Sequence, residues 1–333
     1  MRANEKIANE SASSSKVSVV IVNWNAGRFL ERCLVALMAQ TVKPYEIILV
    51  DNASTDGSLD IVRRFAAVRL IELDRNSGFA RGNNLAIKAA SAESEWIVLI
   101  NPDAFAAPHF LEELLEAAQR NPAYDMFGSK LLNAIEPMLL DGAGDAYHMS
   151  GRVWRLGHGT RNPASGEKEC EVFSPCAAAA MYRRSALQKV GGFDEDFFCY
   201  VEDVDLGFRL RLAGYRCLYV PQSVVHHVGS ATTGGQHGDF AVYHGHRNLV
   251  WIFVKDMPGI LFWLLLPLHL AMNLAALCVF ILRGQGRVIL RAKRDALSGL
   301  PAMWRKRAQV QSMRAVSLGN IWRMLDKTIW NHW

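Results

Sequence analysis

From its N-terminus the chain alternates short apolar runs with amphipathic stretches. Val17-Ser18-Val19-Val20-Ile21-Val22 is rich in β-branched residues, the pattern of a strand covered on both faces. It breaks at Asn23-Trp24-Asn25-Ala26-Gly27. Phe29, Leu30, Cys33, Leu34, Leu37 and Met38 then recur at three-and-four spacing and predict a helix. The alternation continues. Residues 46–50 predict a second strand ending at Asp51, followed by the turn Asn52-Ala53-Ser54-Thr55-Asp56-Gly57-Ser58 and a helix. Residues 68–73 predict a third strand leading into a Gly-bearing loop, 76–84, and a helix. Residues 96–100 predict a fourth strand, ending at Asn101-Pro102-Asp103. Strands and helices alternating across short loops predict an α/β fold with a Rossmann-like, mostly parallel twisted sheet and flanking helices. Ligands of such sheets bind beyond the carboxyl ends of the strands, which is where the polar clusters of this chain fall.

After Pro122 the pattern loosens. Asp141-Gly142-Ala143-Gly144-Asp145 and residues 151–159 are rich in turn residues, with Trp154 and Arg155 among them, and Gly191-Gly192-Phe193-Asp194-Glu195 reads as a turn. Tyr200-Val201-Glu202-Asp203-Val204-Asp205 then leads into a helix that Gly214 stops. Residues 217–220 predict a strand, and Val224-Val225-His226-His227 follows. Residues 231–247 are rich in Gly, His and Thr and read as a mobile loop able to close over a bound ligand. These shifts divide the chain into a flexible start, 1–16, a main domain, 17–240, and a C-terminal helical region, 241–333. The main domain splits into a nucleotide-binding half, 17–122, and an acceptor and catalytic half, 123–240.

Charge sharpens the view of that last region. The net charge over 333 residues is +5, yet from Arg283 onward 11 Lys and Arg face 2 Asp and Glu, a balance of +9 that leaves −4 for the rest. A basic tail fits nucleic acid or an anionic membrane, and the preceding stretch decides for the membrane. Residues 257–282 contain no Asp, Glu, Lys or Arg and include Phe262-Trp263-Leu264-Leu265-Leu266. Pro267, His269 and Asn273 interrupt the run, and both flanks are basic, so one crossing would export the charged tail. The expectation is a segment that dips into or lies on the cytoplasmic leaflet, its tail held by anionic lipid; the alternative is an unusually apolar core helix. The polar start lacks the apolar stretch of a signal peptide, which puts the catalytic part in the cytosol. The six cysteines form no CxxC pair and no Cys/His metal spacing, so they read as reduced and mostly buried.

Several acidic positions point to chemistry. Asp103 ends a strand after a proline, where a carboxylate can hold Mg²⁺ or Mn²⁺ against a diphosphate; its bland reading is a helix cap. Asp51 ends the second strand in the same layer and can accept the ring N–H of a uracil or thymine base, whereas Asp56 reads as turn chemistry. Asn76, Gly78, Arg81, Gly82 and Asn83 form a loop able to approach phosphate or ribose. Glu202, Asp203 and Asp205 crowd a helix start more densely than capping requires. A group transfer to a hydroxyl needs one carboxylate to take the acceptor's proton, and Asp203 is the candidate base. His226 or His227 can complete a metal site with Asp103.

Taken in order, residues 19–25, 50–58 and 76–83, Asn101-Pro102-Asp103-Ala104, Gly191-Gly192-Phe193-Asp194-Glu195, Glu202-Asp203-Val204-Asp205 and His227-Val228-Gly229-Ser230 resemble family-2 glycosyltransferases, above all their bacterial rhamnosyltransferase-like branch. The resemblance covers about residues 16–233. It implies a GT-A fold, an inverting single displacement and a divalent metal, Mg²⁺ or Mn²⁺. It carries the metal role onto Asp103 and His227, the base role onto Asp203 and nucleobase recognition onto Asp51. It further implies a nucleotide-diphosphate sugar donor, with dTDP-L-rhamnose first, and a lipid-linked or saccharide acceptor. The donor-binding set is then Asn23, Asn25, Asp51, Asn52, Asn76, Gly78, Arg81, Gly82, Asn83 and Asp103, with Glu202, Asp205, Trp154 and Arg247 as acceptor or supporting residues. Many GT-A enzymes carry a DxD triplet; Asn101-Pro102-Asp103 keeps only its last carboxylate, which implies metal binding that depends on bound nucleotide. The rivals are a glycosyltransferase using another donor such as a UDP-hexose, a sugar-nucleotidyltransferase and a non-catalytic nucleotide-sugar scaffold. A dinucleotide oxidoreductase is disfavoured because the first strand lacks G-x-G-x-x-G.

Overall fold

The computed structural model describes residues 16–162, 167–229 and 238–328. The expected flexible start, up to residue 15, lies outside the described residues, as does the 231–237 part of the expected loop.

Strands β1 (Val17–Asn23), β2 (Glu46–Asp51), β3 (Val68–Glu72) and β4 (Trp96–Ile100) lie parallel in the order β4-β1-β2-β3. Helices α1 (Gly27–Met38), α2 (Ser58–Arg63) and α3 (Phe79–Ala89) connect them. β1 and β4 are buried at every position, which explains a sequence that is apolar throughout in β4 and apolar apart from Ser18 and Asn23 in β1. β3 is an edge strand and carries exposed, charged Arg69 and Glu72 among its apolar residues. Each fully buried Ile or Leu of this core contributes about 1.5–3 kcal/mol. Gly82 on α3 serves that packing: a Cβ there would lie 2.7 Å from Val22 Cγ1 on β1.

Beyond β4 the sheet continues but becomes mixed. β11 (Ala179–Arg183) runs antiparallel between β4 and β6 (Met126–Asn133), and β12 (Cys217–His227) lies parallel to β6. β5 (Ala104–Ala106) and β10 (Cys170–Val172) pair antiparallel with β12, and β7 (Leu140–Gly142) with β6. A separate hairpin joins β8 (Asp145–Tyr147) to β9 (Val153–Arg155). Helices α4 (Phe110–Arg120), α5 (Arg184–Val190) and α6 (Glu202–Leu212) complete this part. The two halves expected from sequence thus share one sheet. The strand expected at 217–220 and the segment 224–227 are one strand, with a register shift between Val220 and Val224.

The chain ends in helices α7 (Asp239–Asp256), α8 (Gly259–Leu282), α9 (Gly286–Ser312) and α10 (Leu318–Met324). The loop expected over 231–247 is corrected for its described part: from Asp239 the backbone is helical. Its Gly- and His-rich composition suggested a loop, but Ala241, Val242 and Asn248 bury against the protein, and that packing overrides composition. Phe208 and Leu212 of α6 join Trp251, Phe253, Leu265 and Met303 in one core cluster, so these helices are packed onto the main domain.

α8 is long and apolar enough to cross a membrane, yet only 11% of its most apolar stretch is buried. The core-helix alternative therefore falls. Its inner face, Leu261, Leu265, His269 and Met272, packs on the protein, while Trp263, Leu270 and Leu274, at heptad-like spacing, are 59%, 60% and 62% exposed. Of the three residues that interrupted the apolar pattern, Pro267 stays exposed within the helix and the two polar ones turn inward. His269 Nδ1 lies 2.8 Å from the Ser150 carbonyl and its ring stacks 4.0 Å from that of Phe253, while Asn273 bonds to His269. On α9, Leu290, Leu297 and Trp304 form an exposed apolar stripe with Arg287, Arg291, Arg294 and Arg305 exposed beside it.

Candidate active site

The pairing of β5 with β12 sets Ala104 opposite His227, which brings His227 beside Asp103 across more than a hundred residues of chain. His227 Nε2 stands 3.4 Å from Asp103 Oδ1, and Nδ1 stands 2.8 Å from Asp141 Oδ2 on β7. Burial pulls the imidazole pKa down, but the two carboxylates outweigh it and push it up to about 9. Burial also opposes ionisation of Asp141, and hydrogen bonds from His158 and His227 with the charge of Arg155 still hold it well below the usual carboxylate range. Strand alternation sends His226 to the opposite face, so His227 is the histidine that lines the cavity. Asp103 does not cap α4; β5 intervenes, and His109 occupies the cap position.

Asp103 and His227 offer a carboxylate oxygen and an imidazole nitrogen toward one space, with the other imidazole nitrogen anchored by a carboxylate. Such a donor pair suits a divalent cation that takes its remaining ligands from a diphosphate and water. Among the described residues, Asp145, Cys176 and Asp203 also bring ligand atoms within 4.8 Å of one another. The guanidinium of Arg155 acts on all three and already supplies positive charge there, and burial keeps the Cys176 thiol protonated. The first pair fits a cation; the second group fits the arginine.

Asp103, His227 and Asp203 line the same cavity, of about 250 Å³. Asp203 sits in the first turn of α6, where Oδ2 accepts the Ala177 N–H at 3.1 Å and Oδ1 accepts that of Val204 at 2.9 Å. Burial pushes its carboxyl pKa above the usual range, against the Ala177 amide and the Arg155 charge, a shift that suits a proton acceptor. Glu202 is 6% exposed, and burial followed by the charge of Asp203 pushes its carboxyl well up. Asp145 is pushed up to about 8 by burial and then by Asp203. Capping does not explain the cluster, because Val201 holds the cap position of α6 without a side-chain bond.

The expected donor loops divide. Asn52, Asn76 and Gly78 line the cavity. Asn52 Oδ1 accepts from the Ser77 N–H and hydroxyl at 3.2 and 3.1 Å, tying that loop to β2. Gly78 has φ 87°, and a Cβ there would meet Phe198 at 2.6 Å. Asn23, Asn25 and Asp51, also in the expected donor set, knit the adjoining loops together and are not among the residues lining this cavity. Asn23 donates to Asp51 at 2.8 Å, Asp51 accepts the Ser54 N–H at 2.8 Å, and Asn25 accepts that of Thr55 at 2.8 Å. Short polar side chains at loop starts satisfy the local backbone first. Asp56, read as structural, accepts the Gly27 N–H at 2.8 Å. Arg81 pairs with Glu195 at 3.8 Å, Asn83 donates back to Phe79 O within α3, and neither they nor Gly82 line the cavity.

Of the expected supporting residues, Glu202 lines the cavity and the other three do not. Asp205 is fully buried, 2.5 Å from Lys255 and 2.8 Å from Arg209, because a helix periodicity turns it away from Asp203. Arg247 donates to the Asp196 and Phe197 carbonyls, and Trp154 stands beside His148 behind the cavity. Residues that sequence reasoning did not select include Trp24, Arg155 and the aromatic wall of Phe79, Phe198, Tyr200 and Phe240, all lining the cavity, and Asp141, which anchors His227. Trp24 and Arg155 stood within stretches already singled out; Asp141 carried only a turn signal.

A Rossmann-like sheet whose carboxyl edge gathers a carboxylate–imidazole pair and a further carboxylate, Asp203, over one cavity is GT-A-like. Residues 18–191 match the sequence model of glycosyl transferase family 2. The chain belongs to glycosyltransferase family 2 and is rhamnosyltransferase-like. It is 32% identical over 266 residues to the N-acetylglucosaminyl-diphospho-decaprenol L-rhamnosyltransferase of Mycobacterium tuberculosis, covering 72% of this chain and 83% of the relative. It is 25% identical over 221 residues to the O-antigen chain rhamnosyltransferase RfbN of Salmonella typhimurium, covering 64% and 66%. Its fold resembles that of a Pyrobaculum calidifontis mannosyltransferase solved with GDP-Man and Mn²⁺, with TM-score 0.54, 19% identity and coverage of 92% and 87%. It also resembles S. aureus TarS 1-349 solved with UDP, with TM-score 0.56, 18% identity and coverage of 90% and 88%.

Proposed function

We propose that the protein is an inverting, metal-dependent glycosyltransferase of bacterial cell-surface glycan synthesis. It moves L-rhamnose from dTDP-L-rhamnose to a lipid-linked or polysaccharide acceptor at the cytoplasmic face of the plasma membrane. The observation that carries this reading is the opening of Asp203 and of the Asp103–His227 pair into one cavity. Asp203 takes the acceptor's hydroxyl proton as that oxygen bonds to the anomeric carbon, and the bond from that carbon to the nucleoside diphosphate breaks. One displacement inverts the anomeric configuration. Asp103 and His227 would hold Mg²⁺ or Mn²⁺, which supplies charge neutralisation to the departing diphosphate. Trp24, Asn52, Asn76 and Gly78 contact the donor, and Asp51, Asn23 and Asn25 tie the adjoining loops together. The rhamnosyl donor rests on the two rhamnosyltransferase relatives.

The test is transfer by the purified full chain in detergent, with Mn²⁺, a prenyl-diphosphate-linked saccharide acceptor and a panel of dTDP-, UDP- and GDP-sugars. The expected result is acceptor-dependent release of dTDP from dTDP-L-rhamnose, stopped by chelator, with NMR showing inverted configuration in the product. Release from a UDP-hexose instead would overturn the donor, and silence across the panel would overturn catalysis.

Membrane association is part of the same proposal, with α8 and α9 lying on the leaflet. The exposed apolar stripes beside Arg287, Arg291, Arg294 and Arg305 support it. Leu270→Asp with Leu274→Asp is expected to weaken cosedimentation with phosphatidylglycerol vesicles about tenfold or more, since each leucine returned to water forfeits about 1.5–3 kcal/mol. Unchanged cosedimentation would remove α8 from the contact.

A further inference from the structure

Three residues just before the candidate base hold positive φ without being glycine: Phe198 at 65° with ψ −65°, a γ-turn closed by the Cys199 N–H on the Phe197 carbonyl, Tyr200 at 66° and Val201 at 68°, the last in the left-handed helical conformation. The last is β-branched, the kind of side chain that tolerates this region least. A segment so bent persists only where its surroundings hold it. Phe198, Tyr200 and Val201 all line the cavity, and Val201 leads directly into Glu202 and Asp203.

What holds the segment comes from the C-terminal helices. Asn248 on α7 is 0% exposed, and its Nδ2 donates to the carbonyls of Phe197 at 3.0 Å, Cys199 at 3.0 Å and Tyr200 at 2.7 Å. These carbonyls belong to neither strand nor α-helix, so one amide group shared among them supplies what regular structure would. Arg247 donates to Asn248 Oδ1 at 2.9 Å and to the Phe197 carbonyl at 2.8 Å, which orients the amide. One turn and more along α7, the buried Lys255 ammonium stands 2.7 Å from Asp194 and 2.5 Å from Asp205. α7 therefore grips the chain before the bent segment, within it and after it. Asn248 does not line the cavity.

We propose that Asn248 is a positioning residue for the transfer reaction, holding the bent segment that aims Asp203 at the acceptor, so that the helical region forms part of the catalytic apparatus. The inference rests on the reading of Asp203 as the base. Misplacing a catalytic group by about 1 Å costs about 10²-fold. Asn248→Ala and Asn248→Asp, the second nearly isosteric but without the donor, are expected to lower kcat about 10²-fold. The donor KM and nucleoside diphosphate binding stay unchanged. Val201→Gly placed in the Asn248→Ala background is expected to restore part of kcat, because glycine enters the left-handed region without strain. A purely structural role would lower Tm without splitting kcat from KM and without this suppression. Asn248→Ser, which keeps one donor, carries the comparison should the other two variants not fold. Folded Asn248 variants with kcat within about twofold of wild type would overturn the proposal. With Asp203→Asn run alongside, an inactive Asp203 variant beside an active Asn248 variant overturns only this inference, whereas an active Asp203 variant overturns the reading beneath it.

Discussion

Replacing Asp203 with Asn is expected to lower kcat for sugar transfer by about 10²–10⁴-fold, the range general-base catalysis supplies. Asparagine has nearly the same shape, and its Oδ1 can still accept the Ala177 N–H that Asp203 receives at 3.1 Å. What it lacks is the capacity to take a proton. Donor binding, measured by calorimetry with the nucleoside diphosphate, should persist. The pH dependence carries a second test. Burial holds the Asp203 pKa above its ordinary value, so kcat should fall on acidification at a pH above the usual carboxylate range. The sign for stability runs the other way. The folded chain binds this proton more tightly than the unfolded chain, so stability falls as pH rises from the ordinary pKa through the raised one. The Asn variant should lose this pH dependence of stability while being inactive. Full activity in a folded Asp203→Asn protein would exclude the proposed base.

Replacing His227 with Ala is expected to cost about 10²–10³-fold in kcat and to raise the Mn²⁺ concentration needed for half-maximal rate, since cation stabilisation of a leaving diphosphate is worth several kcal/mol. His227 is held between Asp103 at 3.4 Å and Asp141 at 2.8 Å, so its removal empties the nitrogen side of the pair and leaves Asp103 as the sole first ligand from this strand pairing. Asp141→Asn should act in the same direction but less strongly, about 10–100-fold in metal affinity, because a carboxylate behind a ligating imidazole sets its orientation and basicity. A Mn²⁺ titration of transfer rate separates the two variants. An unaltered titration in His227→Ala would show that the cation sits elsewhere.

Much of this site was legible in the order of residues, and the reason is local. β1, β2 and β4 announce themselves as apolar β-branched runs because both their faces are covered, and the chain can place Asp103 and Asn52 at carboxyl ends by strand length alone. Glu202 and Asp203 stood out because like charges so crowded need a compensating purpose. At Asn23, Asn25 and Asp51 the structure adds what local reasoning could not show: their side chains tie the two loops after β1 and β2 together.

What the sequence determined by itself is therefore the alternation of elements, the edge of the sheet where ligands gather and the apolar, basic character of the C-terminal region. Tertiary structure decided which groups meet. The register of β5 on β12 chose His227 over His226, since strand alternation sends neighbouring side chains to opposite faces. The pairing of β7 with β6 brought Asp141 behind that imidazole, and the β8–β9 hairpin brought Arg155 toward Asp203. Docking of α7 met Asp205, on the far side of its helix from Asp203, with the Lys255 ammonium, and it set Asn248 beneath the bent approach to the proposed base. Packing also turned His269 and Asn273 inward, leaving α8 an unbroken apolar outer face. Each of these outcomes joins residues far apart in the chain, where hydrophobic period and local propensity carry no information and only the burial of one element against another selects the neighbour.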